Sequence, residues 1–230
     1  MPEHLEILGP TGSGKSFLLV QILIERVRRR KSHVVFIATK QADATVRALG
    51  WPIVDTPREA AKHDQVVYWP RTAATGTKRK IHQAARIQAL LDDLWQEDAN
   101  VVLVWDEAAY IEKLSRELAD TMLMYQREGR SHGITDVMGK QRVQGIQRDM
   151  HSETDWKIAF PMNDSEDNER LAELFGSKRE FLPVIESLDR EKFEFLIQHK
   201  TTKATYISWV DKPVDPKKVG AQQRGYRKVA

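Results

Sequence analysis

The 230-residue chain carries 36 Lys and Arg against 33 Asp and Glu, a formal net charge of +3, so it is no general polycation, and any polyanion must be met by local basic clusters. It has no cysteine, which excludes disulfides and thiolate metal sites. Apolar residues (41%) and charged residues (30%) stand in globular proportion, and no apolar run approaches the roughly 20 residues of a membrane span; the expectation is a soluble, intracellular chain without a membrane segment.

In chain order, apolar runs alternate with amphipathic stretches, the pattern of a parallel sheet with crossover helices. Residues 5–8 read as a strand. Residues 16–30 read as a helix, with Leu18, Leu19, Ile22, Leu23 and Val27 on one face and Arg26, Arg28 and Arg29 in its last turn, where cations suit the helix dipole. Strands follow at 34–38 and 66–69, with a short helix at 41–49 between them. Residues 78–95 form a long helix whose apolar positions include Ile81, Ala85, Leu91 and Trp95. Val101–Trp105 is an unbroken apolar run, as expected of a central strand covered on both faces. A helix over 114–126, strands at 135–139 and 157–160, and a helix over 165–175 closed by Gly176 come next. Segments 193–198 and 205–210 read as a late hairpin, and 211–230 as a loose basic tail.

Gly9-Pro10-Thr11-Gly12-Ser13-Gly14-Lys15-Ser16 fits G-x-x-x-x-G-K-[ST] in full, between an apolar strand and an amphipathic helix. Glycines let backbone N–H groups turn inward on a phosphate, and the helix start adds its positive end. Lys15 is placed to reach the β- and γ-phosphates, Ser16 to bind Mg²⁺, and Phe17 continues the cradle. The loop alone indicates nucleotide binding without choosing the reaction.

The run at 101–105 ends in Asp106 and Glu107. At the C-terminal edge of a parallel sheet these carboxylates would face the phosphates. Asp106 is placed to hold the Mg²⁺ shell, and Glu107 to act as general base on water. The expectation is an ATP hydrolase with ATP and Mg²⁺ as cofactors.

Arg130-Ser131-His132-Gly133-Ile134, a strand, then Gln141-Arg142 resemble a block of the HerA/FtsK superfamily of DNA-pumping P-loop ATPases. There a basic helix end and a Gly-Ile turn precede a strand ending in Gln. Lys40, closing the second strand, occupies a place where that family carries Lys, although the usual preceding Asp is missing. The stretch from Phe160 to Arg170 resembles the family's turn into its last conserved helix. The resemblance covers about residues 4–175 and implies an α/β fold, the P-loop NTPase (RecA-like, ASCE) three-layer sandwich with a mostly parallel central sheet, over residues 1–210. It implies a ring of identical subunits, with Gln141 sensing the γ-phosphate and Arg130 reaching into the neighbouring subunit's site; Arg127 stands close behind it.

Double-stranded DNA is the expected partner. Arg142 and Arg148, with Gln144 and Gln147, follow the sensor strand; Arg79 and Lys80, with Arg71 and Lys78, form a second cluster; Lys217, Lys218, Arg224, Arg227 and Lys228 form a third. Such residues suit phosphate contacts that carry no sequence information. The seven histidines lack ligand spacing, so no structural metal is expected. The short form resembles the small genome-packaging ATPases of viruses, which implies the host cytoplasm or the packaging vertex of a virion, with a capsid or portal partner. A plasmid or conjugative DNA pump, a P-loop small-molecule kinase and a nucleotide-gated module without turnover remain the alternatives.

Overall fold

The computed structural model describes residues 3–29, 31–47, 49–143, 151–211 and 226–228. Its strands are β1 (Leu5–Leu8), β2 (His33–Ile37), β3 (Ile53–Val54), β4 (Gln65–Tyr68), β5 (Val101–Trp105), β6 (Thr135–Lys140), β7 (Trp156–Ala159), β8 (Glu194–His199), β9 (Thr205–Trp209) and β10 (Tyr226–Lys228). They form one sheet in the order β10-β9-β8-β7-β1-β6-β5-β2-β4-β3. From β7 through β3 every pairing is parallel, and β8, β9 and β10 continue it antiparallel.

The helices are α1 (Lys15–Arg29), α2 (Ala44–Arg47), α3 (Pro57–Ala60), α4 (Gly76–Leu94), α5 (Ala108–Glu112), α6 (Arg116–Glu128), α7 (Ser165–Phe175) and α8 (Lys178–Glu186). Strand periodicity divides them into layers. In β5, Val101, Leu103 and Trp105 join the cluster under α4, α5 and α6, while Val102 and Val104 join the opposite cluster under α1. That two-sided burial explains why β5 is apolar throughout. Leu8, Ala159, Leu196 and Ile207 pack beneath α7 and α8. The fold is the three-layer α/β sandwich of P-loop NTPases of the ASCE type.

Several elements depart from the sequence pattern. The short helix expected at 41–49 is confined to α2, and β3, α3, α5 and α8 are additional. Ile81 is 63% exposed, whereas α4 buries Gln83, Ile87, Leu90, Leu91 and Leu94. Gln83 is buried because its amide donates to the Thr39 carbonyl at 3.0 Å and accepts from the Tyr110 hydroxyl at 2.7 Å, a polar position within an apolar stripe. Within 211–230, Tyr226–Lys228 pair with β9; 212–225 and 229–230 lie outside the described residues.

Polar groups are also buried beneath the sheet. Glu6 of β1 and Lys140 of β6 meet at 2.8 Å, and His151 Nδ1 lies 2.8 Å from the same Glu6 oxygen. Burial opposes the Glu6 charge, but Lys140 and His151 outweigh it and hold its pKa at about 2. Farther along β6, buried Asp136 accepts from Trp105 Nε1 at 3.1 Å and Gln126 Nε2 at 2.8 Å. Here burial wins and lifts the carboxyl to about 7, although both donors oppose the rise.

An acid whose folded pKa lies above its unfolded value binds more protons when folded, so its contribution to stability declines between those two values as pH rises. For Asp136 the window runs from about 4 to about 7. Asp136→Asn keeps an acceptor for Trp105 and offers an amide to Gln126 Oε1, which has no partner among the described residues. Urea denaturation at pH 5 and pH 8 is expected to show the variant gaining on the native protein as pH rises; a constant difference would place the Asp136 pKa elsewhere.

Candidate nucleotide site

The C-terminal ends of β1, β6, β5 and β2 meet at one edge of the sheet. Leu8 pairs with Lys140, Trp105 with Met138, and Ile37 with Trp105. Each strand then releases a polar segment at the same level: the 9–16 loop, Gln141, Asp106-Glu107 and Thr39-Lys40.

The loop after β1 is tied to β6 by the Gly9 N–H, which donates to the Lys140 carbonyl at 3.0 Å. Its own turn is closed by Ser13 N–H to Pro10 carbonyl at 3.2 Å. Gly12 and Gly14 have φ of 86° and 94°, a left-handed conformation that glycine adopts without steric cost. Helix α1 starts directly behind, its Leu18 N–H donating to the Gly14 carbonyl at 2.9 Å. The arrangement leaves a concave run of backbone at a helix N-terminus, which favours an anion.

Lys15 is buried, with 6% of its surface exposed. Burial lowers its pKa, while Glu107 and Asp106 pull the other way. The Lys15 ammonium therefore sits in the field of the acidic pair across the site. Asp106 is buried, and its Oδ2 lies 3.3 Å from Lys40 Nζ. Burial raises the Asp106 pKa against the attraction of Lys40. Lys40 feels the reverse: burial disfavours its charge, but Asp106 and Asp43 outweigh that and its pKa rises. Asp43 approaches Lys40 at 3.2 Å, an acid supplied after the lysine where the sequence lacks one before it. The Lys40 loop is held by Trp69 Nε1, which donates to the Lys40 carbonyl at 2.6 Å, and by Arg79, which donates to the Thr39 carbonyl at 2.8 Å.

Glu107 is half-buried, and burial raises its pKa, offset first by Lys15. Gln141 lies near enough to Glu107 that its main chain and side chain both act to lower the Glu107 pKa, and its Oε1 stands 3.5 Å from the Thr11 hydroxyl. Gln141 thus bridges the phosphate loop and the acidic pair. This closeness depends on Gly139: a Cβ there would lie 2.5 Å from the Asp106 carbonyl oxygen.

The residues fit a nucleoside triphosphate with a divalent cation. Asp106 Oδ1, Glu107 Oε2 and Ser13 Oγ are buried without a hydrogen-bond partner among the described residues, so carboxylate and hydroxyl oxygens at the site have capacity unused. The remaining sequence candidates are dispersed. Arg130 lies in a short 3-10 turn ahead of β6, at the opposite edge of the sheet, roughly 20 Å from Gln141 at about 3.3 Å per strand residue. Its guanidinium holds Asp155 at 2.8 Å and Glu153 at 3.4 Å. Arg142 and Lys80 are exposed, and Arg79 is partly occupied by Thr39. Arg148 lies outside the described residues, as do Lys217, Lys218 and Arg224. Sequence reasoning missed Asp43, whose role depends on a contact with Lys40 that no linear motif encodes.

No protein-family model and no curated protein matches this sequence. Among solved structures, the chain is similar to the genome packaging NTPase B204 of Sulfolobus turreted icosahedral virus 2 in complex with sulfate, at 16% identity and TM-score 0.66, over 93% of this chain and 97% of that one. It is likewise similar to B204, the DNA-packaging ATPase of Sulfolobus turreted icosahedral virus, at 19% identity and TM-score 0.65, over 93% and 99%. VirB4 of Thermoanaerobacter pseudethanolicus aligns at 12% identity and TM-score 0.64, over 86% and 87%. At these identities the likeness is one of fold. Among the described residues no helix is long and apolar enough to cross a membrane.

Adding a methyl at residue 139 forces β6 away from the main chain of Asp106. Gly139→Ala is expected to cost about 1–3 kcal/mol, the usual penalty of overpacking, read from the urea midpoint; an unchanged midpoint would mean that β5 and β6 separate freely.

Proposed function

We propose that this chain, whose fold is that of the HerA/FtsK-type P-loop ATPases, is an ATP-driven translocase of double-stranded DNA that works as a ring of identical subunits. The observation that carries the reading is the meeting of the glycine cradle, Lys15, Asp106, Glu107 and Gln141 at one sheet edge. A buried ammonium opposite two carboxylates suits a triphosphate gripped at one end and attacked at the other. Support for ATP as the nucleotide comes from B204 of Sulfolobus turreted icosahedral virus 2, solved in complex with ATP-gammaS and with AMPPCP.

In this reading Gly9, Pro10, Thr11, Gly12, Ser13 and Gly14 wrap the phosphates, Lys15 neutralises the β- and γ-phosphates, and Ser16 and Phe17 complete the start of α1. Ser16 and Asp106 would hold Mg²⁺, which would supply neutralisation of the triphosphate's charge. Glu107 takes the proton from the attacking water. Its raised pKa favours that task, because a base works best with a pKa near the working pH. Gln141 orients Glu107 and Thr11 about the γ-phosphate; an amide can both donate and accept there. Departure of the γ-phosphate therefore changes the bonding at the end of β6, and Arg142 follows directly on the chain.

DNA as cargo is supported by the fold shared with the DNA-packaging ATPase B204 and by the exposed bases Arg142 and Lys80. Genome packaging in a virus is the specific role we favour, because the packaging NTPases align over nearly their whole length; a capsid or portal protein is then the further partner. Conjugative or plasmid DNA transfer is the second reading.

Phosphate release by the purified chain with ATP and Mg²⁺ is expected to rise when long duplex DNA is added. Absence of turnover with and without DNA would remove the translocase reading. Glu107→Gln is expected to bind ATP as the native protein does while hydrolysis falls about 10²–10⁴-fold, the usual worth of a general base; native turnover in that variant would exclude Glu107 from the chemistry.

Arg130 faces away from its own phosphate loop, as an arginine serving a neighbouring subunit must. Arg130→Ala is expected to be inactive alone and to regain activity when mixed with Glu107→Gln subunits, whose Arg130 completes the variant's intact site. Mixtures without recovery would confine Arg130 to bracing Asp155 and Glu153 within its own chain.

A further inference from the structure

Phe193 has φ of 52°, a conformation that bulky side chains rarely take. The turn before it fixes this geometry. Asp189 Oδ1 accepts from the main-chain N–H groups of Glu191 and Lys192 at 2.9 and 3.2 Å. The Phe193 N–H donates to the Arg190 carbonyl at 3.2 Å, and the Phe193 carbonyl accepts from Val210 N–H at 3.3 Å. The ring is thereby held against the phosphate loop: a Cβ on Gly14 would lie 3.4 Å from Phe193 Cδ1. Phe193 also lines a cavity of about 520 Å³ with Trp209, Val210, Lys192 and three acids, Glu191, Glu194 and Asp211. The volume lies in the range of small-molecule sites.

Topology gives this cavity a role. The phosphate-loop strand β1 has β6 on one side and β7 on the other. The β6–β5 flank carries Gln141, Glu107 and Asp106. The β7–β8–β9 flank carries Phe193 and the cavity. A nucleoside triphosphate whose terminal phosphate faces the acidic pair must send its nucleoside out on the opposite flank. We propose that the Phe193 cavity is the nucleoside site, with the base against the aromatic surface of Phe193 and Trp209. The ribose hydroxyls and the exocyclic amine of adenine are hydrogen-bond donors, and the three carboxylates can accept from them. The three carboxylates outnumber the one ammonium of the lining, Lys192, which Asp189 already engages at 2.9 Å, so the rim disfavours phosphate and the nucleotide is oriented end to end: anion in the amide cradle, neutral nucleoside at the acidic rim. This inference rests on the ATP-binding reading above.

The 230-residue chain is titrated calorimetrically with Mg²⁺–ATP and with Mg²⁺–tripolyphosphate, which lacks a nucleoside. Phe193→Ala is expected to weaken ATP about tenfold, as for one lost base-stacking partner, and to leave tripolyphosphate within about twofold; Phe193→Tyr is expected to retain ATP. Equal weakening of both ligands, or of neither, overturns the inference and leaves the phosphate site standing. Native protein that binds neither ligand overturns the phosphate-site reading itself. Photolabelling of native protein with 8-azido-ATP needs no variant: label within residues 189–211 supports the assignment, and label confined to the β2–β4 side overturns it.

Discussion

The ladder between β1 and β6 sets the distance at which the phosphate loop faces its polar counterparts. Four register pairs run from Leu5–Val137 to Leu8–Lys140, and the Gly9 N–H to Lys140 carbonyl bond extends that pairing into the loop. Beyond this last bond the two chains diverge, one into the glycine cradle and the other into Gln141. Slipping β6 by one residue would turn every side chain to the wrong face. Met138 would leave its core and Lys140 would lose Glu6. The apolar content of the sheet therefore fixes the position of the polar residues at its edge.

Electrostatics at that edge is balanced by burial. Lys15, Lys40, Asp106 and Glu107 lie close enough to shift one another, and Asp43 adds its attraction at Lys40. Desolvation disfavours the charge on each of the four, and a nearby opposite charge works against that loss. A bound triphosphate adds negative charge beside Lys15, and a divalent cation adds positive charge beside Asp106. Each ligand thus compensates a charge whose partner is shared. Arg130 belongs to another balance at the far edge, with Asp155 and Glu153.

Much of this was legible in the sequence because its causes are local. The phosphate loop needs glycines at fixed positions, and the doubly covered β5 needs an unbroken apolar run; both patterns survive without knowledge of the fold. Helix α8 was missed although Ser177 and Glu180 spell a helix start, and the Ser177 hydroxyl does accept from the Glu180 N–H; Pro183 inside the helix masks the pattern. The buried face of α4 is not legible from apolarity, because Gln83, a polar residue, is buried and Ile81 is not. Phe193 escaped notice because its contact joins residues far apart in the chain to Gly14. Aromatic character alone gives no hint of it.

The Glu6–Lys140–His151 cluster has a consequence for sequence drift. Removing Glu6 or Lys140 alone leaves an uncompensated buried charge and costs about 3–5 kcal/mol, whereas exchanging the pair and its His151 contact together for well-packed apolar side chains is often neutral. Descendants of this chain can therefore lose the trio together, through changes in three distant codons, far more readily than one member at a time. A homologue with Leu or Met at position 6 should also carry apolar residues at positions 140 and 151, and that covariation would mark the lineage even where overall identity has faded.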